Sequence, residues 1–352
     1  MAFRFIVIFA LLSFAFGGSK ATLTKEELHW KSVFPHTKMP KSLQAVLPIP
    51  GESIPFKGDA GLDNKGVNDP EFGAYSYGDD SENLPGESIT FKGDADPDNK
   101  GANDPEFGAY WYGDDSENLP ANRKALGGKS INDYTATKET IYFFEDTLLP
   151  GTKVFLQRLL QESDTTKFLP RQIAESTPLT NGELSQILKK FSLKPESKGA
   201  SYVKNTVKNC ERPEMRGETK YCASSLETFV DSGVSILGKN IKLLSNEIGD
   251  ETKNPSFKIG KGVRTVGGNE VVCHKMTYPH AVYLCHSIEG TEVYKVPLVS
   301  DDGTKVKAMA VCHKDTSAWS PNHIAFKILK VKPGTVPICH FLGRDTLVWV
   351  SN

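Results

Sequence analysis

The chain has 352 residues, 38% of them hydrophobic, and a formal net charge of −1; that length suits one large domain or two ordinary ones, and so polar a chain is not expected to be folded throughout. The balanced charge excludes a strongly basic nucleic-acid binder, but it is a sum of opposites. Residues 51–120 hold 17 acidic residues and 4 lysines, a net of −13, which leaves +12 on the rest. An acidic block beside a basic remainder points to contact within the chain or with an acidic polymer such as pectin, against plain solubility as the simpler account.

In chain order, residues 1–21 read as a signal peptide. Arg4 precedes an apolar run from Phe5 to Phe16, and the small residues Gly17, Gly18, Ser19 and Ala21 follow. The run is too short to span a bilayer. A secreted product without a later membrane span is expected, with its six cysteines in an oxidising compartment. Residues 22–50 form a short leader in which Trp30 and Phe34 alternate with prolines. It is expected to dock on something rather than fold alone.

Residues 51–85 and 86–120 are a tandem repeat matching at 30 of 35 positions. The units are rich in Gly, Asp, Asn and Pro and poor in aliphatics, so the pattern predicts disorder. Each unit still carries an aromatic knot: Phe72, Tyr75 and Tyr77, then Phe107, Tyr110, Trp111 and Tyr112. Residues 121–139 read as a linker, and residues 140–352 as the folded domain.

In that domain, IYFFEDTLLPG reads as a strand and a Pro-Gly turn. Thr180 and Glu183 spell a capping box before Leu184, Ile187, Leu188 and Phe191. Ser224 and Glu227 spell a second, before Leu226, Phe229, Val230, Val234 and Leu237, with Gly238 as the stop. Ser320-Pro321 opens a third helix running through Leu329. The segments EVVCHKM, AVYLCHS, VYKVPLVS, AMAVCHK, VPICHF and TLVWVSN read as strands. The pattern predicts an α+β domain, helices early and an antiparallel, β-rich half late, stapled by disulfides.

Four Cys-His dipeptides stand out: Cys273-His274, Cys285-His286, Cys312-His313 and Cys339-His340, with gaps of 10, 25 and 25 residues. Each follows an apolar residue, as on a strand. Adjacent side chains on a strand point to opposite faces, so the cysteines should lie on one side and the histidines on the other. Two disulfides among Cys273, Cys285, Cys312 and Cys339 would leave four imidazoles, a donor set that suits Zn, Cu and Ni, with tetragonal nitrogen sites favouring Cu(II); three pairings are open. Two Cys2His2 zinc sites compete, although adjacent ligands chelate one ion awkwardly. A purely structural role for the histidines is the third reading. Cys210 and Cys222 suit a local disulfide around a charged loop. His29, His36, His280 and His323 read as surface or core residues.

The spacing CH-x10-CH-x25-CH-x25-CH resembles the signature of the BURP-domain proteins of plants. The resemblance extends to the order of signal peptide, leader, variable repeats and a domain running from Phe143-Phe144 to Trp349. It also covers VPLVSDDGTKVKAMAVCHKDTS and PGTVPICHFLG, and it is nearest the dehydration-responsive and seed-protein branches. It implies a stress- or development-linked protein of the cell wall or vacuole. It also implies Cu(II) held by His274, His286, His313 and His340. Partners would be acidic wall polysaccharide or the chain's own acidic repeats, with no nucleic acid and no membrane. Some members of the family are copper-dependent peptide cyclases that crosslink Tyr or Trp of core peptides in the same chain. The candidates here are Tyr75, Tyr77, Tyr110, Trp111 and Tyr112, in knots that lack the Gln-Pro-Tyr opening and terminal Trp of the best-known core peptides.

Overall fold

The structure, a computed structural model, describes residues 23–49, 139–249, 253–267 and 269–352. The signal peptide, both repeats and the linker up to residue 138 lie outside the described residues. The rest is an α+β fold of two antiparallel sheets, three disulfides and short helices. No helix among the described residues is long and apolar enough to cross a membrane.

The first sheet runs β1 (Tyr142–Phe143), β11 (Ile338–Phe341), β10 (Lys305–His313), β9 (Thr291–Ser300), β5 (Ser256–Ile259) and β2 (Lys153–Phe155), with β6 (Arg264–Thr265) also on β9. The second runs β3 (Glu218–Ala223), β8 (Tyr283–Ile288), β7 (Glu270–Lys275), β12 (Leu347–Ser351) and β4 (Ile241–Ser245). They pack through Val272, Val348 and Val350 from one sheet and Val293, Met309 and Val311 from the other. Side-chain alternation then sends the neighbours of these residues to the outer faces. Cys312 and Cys339 join an outer core with Phe143, Val154 and Phe257, whereas Cys273 and Cys285 join another with Phe229 and Trp349.

The expected strands are present with shifted ends, and several polar ones are additional. The segment from Ile141 is extended only at Tyr142–Phe143 before a 3-10 turn. The helices α1 (Lys25–Val33), α2 (Lys41–Gln44), α3 (Arg171–Glu175), α4 (Leu184–Lys190), α5 (Lys198–Glu211), α6 (Leu226–Leu237) and α7 (Ile324–Leu329) cover the outer surfaces. Their caps differ from the sequence reading. Thr180 makes no side-chain cap, because Asn181–Glu183 is a 3-10 turn leading into α4. The cap of α6 is Ser225, one residue later than expected, whose hydroxyl accepts from the Thr228 amide. Gly238 does stop α6, at φ +80°. α7 begins at Ile324 behind His323, whose Nδ1 accepts from the Ala325 amide. Cys210 sits in the last turn of α5 and Cys222 on β3, so this disulfide closes the expected local loop by tying the end of a helix to the strand that follows it.

The leader docks on the domain. Thr24 and Glu27 form a reciprocal capping box that starts α1. Trp30, Phe34, Met39, Leu43 and Val46 are buried in the same core as Trp349 and Phe229. Trp30 and Phe34 stack on Trp349 at 6.1 and 5.8 Å between ring centres. Gly233 of α6 permits that aromatic stack, since a Cβ there would stand 2.9 Å from the Trp349 indole nitrogen. Polar contacts fix the register: His29 with Asp231 at 2.8 Å, and the Phe168 amide donating to the Val46 carbonyl at 2.7 Å. Trp30→Ala is therefore expected to lower the unfolding free energy of the domain by roughly 3–5 kcal/mol, the cost of emptying a large aromatic site. Urea unfolding checks this, and an unchanged midpoint would show that the leader is dispensable.

Candidate functional site

Strand register decides which cysteines meet. Cys273 on β7 lies directly opposite Cys285 on β8, and Cys312 on β10 directly opposite Cys339 on β11. The sulfurs bond across each pair, with Cα atoms 3.9 and 4.0 Å apart. With Cys210–Cys222 this uses all six cysteines. No thiolate is left for zinc, so the Cys2His2 alternative falls.

The histidines next in sequence take the opposite faces. His274 shares a face of β7 with Val272, and His313 a face of β10 with Val311, so both turn toward the side where the sheets pack. All four CH histidines are buried. They stand as two pairs: His274 with His286 at 5.4 Å between ring centres, and His313 with His340 at 5.6 Å. Among the described residues, no three or more His, Cys, Asp or Glu side chains are grouped to hold a metal ion. The sequence reading of four gathered imidazoles is therefore met as two couples, one in each sheet.

Each couple has an oriented member. His286 Nδ1 lies 3.2 Å from Glu218 Oε1 on the adjacent strand β3. Glu218 also accepts from both terminal nitrogens of Arg212 at 2.6 and 2.8 Å and from the Met215 amide at 3.0 Å. Burial pushes the Glu218 carboxyl up, but the hydrogen bonds from His286, Arg212 and Met215 outweigh it and hold the group well below the usual carboxylate range. In the other couple, His313 Nδ1 lies 2.9 Å from Thr291 Oγ1 on β9. Aromatic rings enclose this couple: Trp319 lies 5.0 Å from His313 and 4.4 Å from His323, and Tyr142 lies 6.0 Å from His340. His280 packs between Phe191 and Tyr278 in the core over α4 and α5. His29 is the surface partner of Asp231.

Glu218 and Thr291, one partner from each couple, line a single open cleft of about 410 Å³. Glu270, at the start of β7 on the face of Val272 and His274, lines it as well. Its side chain is buried, and burial, with the Glu292 carboxylate nearby, pushes its carboxyl up to about 8. Sequence alone does not reveal Glu218, Thr291 and Glu270, because their link to the histidines exists only across strands, nor Trp319, which reaches His313 and His323 from the loop after β10.

The two carboxyls give opposite pH signatures. Glu218 is held low in the fold, so its stabilisation is present above the unfolded carboxylate range and is lost as pH falls below about 4.5. Glu270 is held high, so the folded state keeps a proton that the unfolded state has released, and stability falls as pH rises from about 4.5 to 8. Glu270→Gln removes that second loss. Its unfolding free energy should match the parent at pH 4 and exceed it by roughly 1–3 kcal/mol at pH 8. Denaturant unfolding at both pH values checks this; a constant difference across the range would contradict it.

The BURP domain family model matches residues 141–351. The BURP domain protein RD22 of Arabidopsis thaliana is 44% identical over 217 residues, 60% of this chain and 55% of its own. BURP domain-containing protein 5 of Oryza sativa subsp. japonica is 43% identical over 60% of this chain and 66% of its own. BURP domain protein USPL1 of Arabidopsis thaliana is 36% identical over 60% and 80%. The match thus spans little more than half of the RD22 protein.

Proposed function

Because the chain belongs to the BURP domain family, we propose that it is a secreted plant protein acting in stress response or seed development, at the cell wall or in the vacuole, and that it binds copper through the histidines of its CH motifs. The observation that carries the copper reading is the engagement of Nδ1 in both His286 and His313. A ring held at Nδ1 by a carboxylate or hydroxyl is fixed in orientation and presents Nε2 to a metal. The donors fit, since imidazole nitrogen suits copper. The rings of each couple stand 5.4 and 5.6 Å apart, centre to centre. His274 with His286, and His313 with His340, would each supply two ligands. Copper would contribute one-electron chemistry that no side chain here provides. The basic remainder of the chain, net +12 outside the repeats, would meet acidic wall polysaccharide or the chain's own repeats.

A second reading, a copper-dependent peptide cyclase acting on its own repeats, is favoured by the docked leader. Residues 23–49 and the domain from residue 139 pack as one core, so residues 50–138 leave and re-enter the body that carries the histidines. Tyr75, Tyr77, Tyr110, Trp111 and Tyr112, which lie outside the described residues, are thereby kept at high effective concentration. Each crosslink would remove two hydrogens, with oxygen as the acceptor. After incubation with Cu(II) and oxygen, repeat peptides about 2 Da lighter are expected on this reading; unchanged peptide masses would leave the binding role alone.

The copper proposal is tested by separating neighbours. His313→Ala should still fold, at the modest cost of emptying a buried ring site, and bind Cu(II) more weakly in calorimetric titration. Cys312→Ala should instead lose roughly 2–5 kcal/mol of stability, the usual cost of a missing disulfide. Copper binding equal to the parent in His313→Ala would show that His313 is not a ligand.

A further inference from the structure

Glu270 is the feature that neither the disulfides nor the histidine couples use. It is 3% exposed, yet among the described residues no hydrogen bond or ion pair reaches its carboxylate, and the one charge acting on it is the like charge of Glu292. The Glu270 carboxylate opens on the cleft, where only solvent meets it, and a bound donor would take that place. Its neighbour Glu218 shows the alternative, satisfied by Arg212, His286 and an amide.

The cleft that Glu270 lines gives the chemistry of the missing partner. Glu218 and Glu289 line it too, Thr219, Asn269 and Thr291 add neutral oxygen acceptors, and no Lys or Arg does so among the described residues. This acidic hollow sits in a part of the chain with a net charge of +12, so a cation is drawn to it locally rather than by the overall field. A metal ion is a poor occupant, because no imidazole among the described residues lines the cleft and Glu218 is already committed to Arg212 and His286. A guanidinium is already committed to Glu218. An alkylammonium needs three acceptors, of which one carboxylate and two neutral oxygens suffice.

We propose that the cleft between β3, β7 and the β8–β9 turn is a binding site for a primary alkylammonium group, with Glu270 as its counter-ion. The ammonium donates to the Glu270 carboxylate and to the neutral oxygens of the lining. Its arrival supplies the positive charge that the empty cleft withholds from Glu270. The group is carried either by a free diamine or by a lysine side chain of a peptide. The inference does not rest on copper, and a chelator is therefore present throughout its test.

The full secreted chain is titrated calorimetrically with putrescine and, separately, with Nα-acetyl-lysine methylamide, at about 0.15 M salt to screen the exposed acidic repeats. Saturable binding of at least one amine is expected, weakened about tenfold or more in Glu270→Gln, the loss expected when one charge-assisted contact is removed. Glu289→Lys, at an exposed rim position, places a competing cation in the cleft and should weaken binding as well, which keeps the test open if Glu270→Gln folds poorly. Asp301→Asn, an exposed carboxylate paired with Lys258, should leave binding unchanged. Tighter binding of the lysine amide supports a peptide partner, and tighter binding of putrescine a free diamine. Parent-like affinity in both cleft variants, equal weakening by Asp301→Asn, or no saturable binding of either amine would overturn the proposal.

Discussion

Opposite projection of neighbouring side chains on a strand is the constraint on which the rest of this structure depends. At each Cys-His dipeptide it separates two chemistries by one residue. The sulfurs turn outward and join across strands, Cys273 to Cys285 and Cys312 to Cys339. The imidazoles turn toward the side where the sheets meet. Because the dipeptides occur in register on adjacent antiparallel strands, the bond that locks each strand pair also brings two histidines within 5.4 to 5.6 Å of each other. A one-residue slip would exchange the faces and put imidazole into the outer apolar cores. The disulfides and the histidine couples are thus two consequences of one register.

The second dependence is longer in range. The outer face of the five-stranded sheet is completed by the leader, whose Trp30 and Phe34 cover Trp349. The family match begins at residue 141, yet this core draws on residues more than a hundred positions earlier. An apolar sheet face needs a covering layer, and α6 supplies only part of it. Leader and domain are bound by burial and a few hydrogen bonds, without a disulfide between them.

Much of this was legible in the sequence where the cause is local. The CH dipeptides on apolar strands told the faces apart before any pairing was known. Gly238 marked the end of α6 because its φ of +80° suits a residue without Cβ. The failures have equally specific causes. α5 was hidden by Lys198, Lys204, Lys208 and Asn209, although Ala200, Val203 and Val207 lie buried at helical spacing behind a Ser197 cap. The Thr180 box fit the letters but not the chain, which tightens into a 3-10 turn there. Glu218, Thr291 and Glu270 could not be found, since what makes them matter is the strand beside them.

The most direct test of the register is the disulfide map of the full-length protein, read by mass spectrometry of peptides digested without reduction. The account predicts three linked peptide pairs, Cys210 with Cys222, Cys273 with Cys285 and Cys312 with Cys339, and no alkylated thiol. A link between either cysteine of the five-stranded sheet's CH motifs and Cys312 or Cys339 would contradict it, because the histidine couples could not then form.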